Sequence, residues 1–70
     1  MDNVTDGMRV KITVAADDQF GGYCGTASAV NTSKKTAFID VTHKPDCTKL
    51  PVPMPLKRFS WDDLEACHCQ

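Results

Sequence analysis

The residues of this chain that could hold a metal or attack a substrate are four cysteines and two histidines, and all but Cys24 lie in its C-terminal half. Cys67 and Cys69, with His68 between them, form a Cys-x-Cys pair, and His43 and Cys47 add an imidazole and another sulfur. Thiolate and imidazole are the donors a tetrahedral zinc takes, and a short chain gains stability from such a staple. His43, Cys47, Cys67 and Cys69 are therefore the candidate metal ligands, and a zinc-stapled small domain is one reading of the chain. No Cys-x2-Cys pair is present, and ordering a terminal Cys-x-Cys costs chain entropy. The competing reading gives Cys24 and Cys47 to the core or a loop and leaves the tail thiols free, with no cofactor.

Nucleophilic catalysis by cysteine needs a thiol, a base and an orienting group inside a pocket. Cys24, Cys47, His43 and His68 supply the ingredients, but a 70-residue chain has too little material to wall off a site, so no enzyme is expected. Asp17-Asp18 and Asp62-Asp63 read as loop and helix-start charges rather than as a carboxylate dyad.

The start of the chain, Met1-Asp2-Asn3, has no cationic run, and no apolar stretch reaches the length of a signal peptide or membrane span. The expected compartment is the cytoplasm, where thiols stay reduced or bind metal; an oxidising compartment would allow three full pairings of the four cysteines. Nine acidic residues against eight basic give a net charge of −1, without the basic excess of a dedicated nucleic-acid binder.

The elements that must position these residues are strands. Asp6-Gly7 marks a turn, after which Met8, Val10, Ile12 and Val14 alternate with Arg9, Lys11 and Thr13. Residues 15–19 form an acidic loop. The stretch 20–30, FGGYCGTASAV, is the central corner of the chain, because Gly21, Gly22 and Gly25 permit positive φ and close backbone approach. A second strand over 23–30 is expected to turn Ala27 and Ala29 inward, residues 31–35 form a polar hairpin loop, and a third strand over 36–42 places Ala37, Ile39 and Val41 inward and Phe38 outward.

Pro51, Pro53 and Pro55 occupy alternate positions of the next segment, which fits an edge strand paired on one side or a polyproline II stretch. Prolines commonly blunt edges, so protection against aggregation is the reading favoured over recruitment. Ser60 is an N-cap with Asp63 at the capping-box position, which predicts a short helical turn over 60–66 whose Trp61 and Leu64 close an open end of the barrel. Residues 1–6 are a loose lead-in and 67–70 a fraying tail of one domain, 1–70.

Together these features give an all-β fold, a small SH3-like barrel of about five short strands with a short C-terminal helical turn. Gly7-x-x-Val10-x-Ile12 followed by Gly22-Tyr23-Cys24-Gly25-Thr26 resembles the opening of the KOW modules of ribosomal proteins and transcription elongation factors. The ending, Phe59 through Leu64-Glu65, resembles the close of small barrel subunits of photosynthetic complexes. The chain departs from the KOW pattern in its longer 14–22 segment and in the alanines at 27 and 29. The resemblance implies contacts made by the glycine corner, at Gly22, Tyr23, Gly25 and Thr26.

The expected function is that of a non-catalytic protein-binding module docking through Tyr23, Phe38, Pro53, Met54 and Trp61, an accessory subunit or a small inhibitor of phage or mobile-element type acting on a larger, possibly host, complex. The alternative is a KOW-like RNA- or DNA-binding module. If the first and last strands are neighbours, Arg9, Lys11, Lys57 and Arg58 come to one side and face phosphates, beside Gly22, Gly25 and Thr26.

Overall fold

Val10 and Ile12 are fully buried and their neighbours are not, so the alternation read in the sequence builds the first strand, β1 (Arg9–Ile12). The computed structural model describes residues 1–69. Four further strands follow: β2 (Cys24–Asn31), β3 (Thr36–His43), β4 (Lys57–Ser60) and β5 (Leu64–Ala66). They form one antiparallel sheet in the order β4-β3-β2-β1-β5, so the fold is all-β and has no helix longer than a single 3₁₀ turn among the described residues. The ladder does not close: β4 and β5 are its edges.

The apolar residues of all five strands converge on one cluster with Val4, Phe20 and Trp61: Val10 and Ile12 from β1, Ala27 from β2, Ala37, Ile39 and Val41 from β3, Phe59 from β4 and Leu64 from β5. No polar or charged side chain is buried among the described residues.

Several details differ from the sequence reading. β1 stops at Ile12, and a 3₁₀ turn over Val14–Ala16, closed by the Ala16 amide on the Thr13 carbonyl, turns Val14 out to 76 % exposure. Ala27 is buried but Ala29 is exposed, because a register shift between Ser28 and Asn31 puts Ala29 at φ 47° and breaks the alternation. The helical turn is confined to Trp61–Asp63, capped by the Ser60 hydroxyl accepting from the Asp62 amide. From Leu64 the chain extends into β5, where Leu64 opposite Ile12 gains both ladder bonds and burial. Of the two forms open to the proline segment, the edge strand is not the one taken: the segment joins no ladder, and β4 starts only at Lys57, two residues beyond Pro55.

Two glycines of the corner are required by the backbone. Gly22 has φ +87°, and a Cβ on Gly25 would overlap the Asp40 carbonyl across the β2–β3 pair. Asp17 organises the bend before them, its carboxylate accepting from the amides of Gln19 at 2.8 Å and Phe20 at 2.9 Å. At the N-terminus, where a loose lead-in was expected, Val4 is buried and the Met1 amine donates to the Trp61 carbonyl at 2.8 Å.

Candidate functional site

Two disulfides gather the cysteines at one end of the sheet. Cys24, at the start of β2 and only 3 % exposed, is bonded to Cys67 just beyond β5, with Cα atoms 5.9 Å apart. Cys47, in the loop after β3, is bonded to Cys69, with Cα atoms 5.3 Å apart. This corrects the expectation of reduced thiols or metal ligands: all four sulfurs are paired. Residues 67–69, expected to fray with Gln70, are tied by both bridges; Gln70 lies outside the described residues.

The metal set read from the sequence is gathered only in part. The Sγ atoms of Cys67 and Cys69 lie within 4.8 Å of each other and of Cys24, while His43 is absent from that group. His43 sits opposite Cys24 in the ladder, but its Nδ1 is hydrogen-bonded at 2.8 Å to the Thr42 hydroxyl. A sulfur held in a disulfide offers no thiolate, either to a metal or as a nucleophile.

The basic residues are split by the topology. β1 lies between β2 and β5, whereas Lys57 and Arg58 lie on β4, three strands away at the opposite edge, so β1 and β4 do not pair as the nucleic-acid reading required. Arg9 donates to the Cys69 carbonyl at 3.2 Å, and Lys11 pairs with Glu65 at 3.6 Å. Lys57 is hydrogen-bonded to Asp17 and its ammonium stands 5.9 Å from the Phe20 ring and 5.8 Å from the Phe59 ring. Arg58 lies opposite Phe38. In the glycine corner Gly22 and Gly25 are buried and Thr26 is half-buried.

The ammonium of Lys57, helped by the Phe20 amide, pulls the Asp17 carboxyl from its ordinary 3.8 down to about 2. A carboxyl lowered on folding binds protons more readily in the unfolded chain, so its contribution is complete above about pH 4 and is lost as pH falls toward 2. Asp17→Asn should therefore lower stability at neutral pH and flatten the decline between pH 4 and 2. An acid denaturation profile parallel to that of the parent chain would show that the Asp17–Lys57 contact does not hold the corner.

The apolar surface lies elsewhere. Phe38 is 36 % exposed on β3, while Trp61 is 5 % exposed with its Nε1 donating to the Thr36 carbonyl. The structure thus removes Trp61 from the docking set, since its surface is committed to the core. Tyr23 is half-buried edge-on against Phe20, with ring centroids 5.6 Å apart. The other two candidates, Pro53 and Met54, each line an open groove. The first groove, of about 310 Å³, runs between Asp40–Thr42 of β3 and residues 49–53. The second, of about 220 Å³, is lined by Gln19, Phe20, Met54, Pro55, Leu56 and Lys57.

Val52 on the first groove and Leu56 on the second are 57 % and 56 % exposed, whereas Leu50 and Met54 pack against the core. Sequence reasoning missed Val52 and Leu56, although a signal existed: every residue between or flanking the three prolines, Leu50, Val52, Met54 and Leu56, is apolar. On β3 the outward side chains of Phe38 and Asp40 continue this surface along the strand.

No protein-family model, no curated protein and no solved structure matches the chain. No helix among the described residues is long and apolar enough to cross a membrane.

Proposed function

We propose that the protein is a non-catalytic binding module that docks on a larger protein, as an accessory subunit or small inhibitor, through the proline segment and the outer face of β3. The observation that carries this reading is the exposure of Val52 and Leu56, each lining one of two open, mainly apolar grooves, with Phe38 outward on β3. Proline fixes the backbone around these side chains, so little chain entropy remains to be lost when a partner covers them. An apolar contact of this kind suits a protein surface and offers nothing to a phosphate backbone, and three of the four basic candidates already have acceptors within the chain. The contact set is therefore Phe38, Val52, Pro53, Met54 and Leu56.

An SH3-like architecture is supported by the return of β5 to β1 after a 3₁₀ turn, although the ladder is open. The disulfides favour an oxidising compartment over the cytoplasm.

The test is capture from source-cell lysate on immobilised protein, comparing the parent chain with Val52→Asp/Leu56→Asp, at low and high salt and with nuclease. Both substitutions are at exposed positions outside the core cluster. The reading expects a stoichiometric protein that resists salt and nuclease and binds the variant at least about tenfold more weakly. Equal capture by the variant would refute this surface, and loss of all bound material on nuclease treatment would transfer the function to nucleic acid.

A further inference from the structure

We propose that the four cysteines are a convertible site: two disulfides when oxidised, and a single four-thiolate site for zinc or a similar divalent metal when reduced. Both bridges end on the tail, at Cys67 and Cys69, and bring all four cysteines to one end of the sheet. The Sγ atoms of Cys24, Cys67 and Cys69 all lie within 4.8 Å of one another, and that of Cys47 is one bond from Cys69. A tetrahedral zinc with Zn–S of about 2.3 Å holds its sulfurs roughly 3.8 Å apart, so shifts of about an ångström convert three of them into ligands. The fourth, Cys47, must move furthest, and it is exposed on a loop outside the strands.

The surroundings suit thiolates. The Cys69 amide donates to the Cys67 sulfur at 3.4 Å, the kind of outer contact that steadies a metal-bound sulfur. Arg9 places its guanidinium 3.2 Å from the Cys69 carbonyl, a counter-charge beside a site that would carry two net negative charges. Lys44 and Lys49 flank Cys47 in the same loop. The ligand set differs from the one read in the sequence: Cys24 replaces His43, which lies outside the sulfur cluster.

The conversion balances as two ordinary steps. A dithiol reductant delivers two electrons and two protons to each bridge and becomes a disulfide itself, leaving four cysteine thiols. The metal ion then displaces the four thiol protons to solvent and takes four sulfur donors, with no further change in oxidation state. The exposed Cys47–Cys69 bridge is the first to open, because Cys24 shields the other. This site is independent of the docking surface, so either proposal can fail alone.

The test reduces the whole chain without oxygen, using a water-soluble phosphine that ends as its oxide. The reduced chain is titrated with Co²⁺ and then Zn²⁺, following cobalt–thiolate absorption and the emission of Trp61, which is buried in the folded protein. The expected result is saturation at equimolar Co²⁺ with the spectrum of a tetrahedral four-thiolate site, emission as in the oxidised protein, and displacement by Zn²⁺. Cys24→Ser and Cys47→Ser should each weaken binding by at least about 100-fold, since even outer-shell losses cost 10–100-fold, while His43→Ala should leave it unchanged. The proposal is overturned by absence of the thiolate spectrum, by the same spectrum with Trp61 exposed to water, or by affinity that survives both serine substitutions.

Discussion

The double substitution Cys24→Ala/Cys67→Ala is expected to destabilise the native state by about 4 kcal/mol, because the bridge closes a span of 43 residues that the unfolded chain would otherwise explore freely. A core of this size rarely supplies more than about 3–5 kcal/mol, so this one bridge contributes about as much as the whole apolar core. The bridge also ties β2 to the chain leaving β5, on either side of β1, and its loss frees an edge strand of only three residues. Cys47→Ala/Cys69→Ala spans 22 residues and should cost about 3 kcal/mol, leaving a folded protein with a mobile tail. Urea titration of each variant without reductant, read by Trp61 emission, measures both. A loss under about 1 kcal/mol in the first variant would mean that the apolar core alone sustains the sheet.

Trp61→Ala is expected to cost about 4 kcal/mol and to unfold the domain rather than to weaken docking selectively. The indole is buried in the core cluster to which all five strands contribute and donates to the Thr36 carbonyl at 3.1 Å. The backbone of the same residue donates to the Lys35 carbonyl and accepts from Met1, so one position joins the β2–β3 hairpin, the chain start and the turn into β5. Trp61→Phe keeps most of the buried area and orphans only the Thr36 carbonyl, for a loss of about 1–2 kcal/mol. Thermal melting of the pair separates the two contributions; equal and small losses would place the ring outside the core.

Much of the sheet was legible because burial imposes a period of two. Val10, Ile12, Ala37, Ile39 and Val41 were all assigned inward from alternation alone, and all are buried. The alternation misled where the backbone departs from regular geometry. Nothing in the local sequence signals the register shift that turns Ala29 outward, or the early end of β1 that exposes Val14. The C-terminal segment carried true capping residues, but Leu64–Ala66 became a strand because β1 offered an open edge, a long-range effect that propensity does not contain.

The docking candidates divide on the same ground. Phe38 was identified by facing, Pro53 and Met54 by their place in the proline segment, and Trp61 was included because aromatic type alone does not distinguish a core residue from a contact residue. The cysteines were the least legible feature. Spacing along the chain offered three pairings and a mixed histidine–cysteine metal set, and only the fold brings Cys24 to the tail.

The connectivity of those cysteines is what the stapled sheet, the oxidising compartment and the convertible site all rest on, and it can be measured directly. Cys67 and Cys69 fall on one tryptic peptide, so the native chain should be partially reduced, alkylated with one reagent, fully reduced, alkylated with a second, and fragmented in a mass spectrometer. The account predicts no free thiol at the outset, the first label on Cys47 and Cys69 together, and the second on Cys24 and Cys67. A first label shared between Cys47 and Cys67, or thiols already free in the native chain, would contradict it.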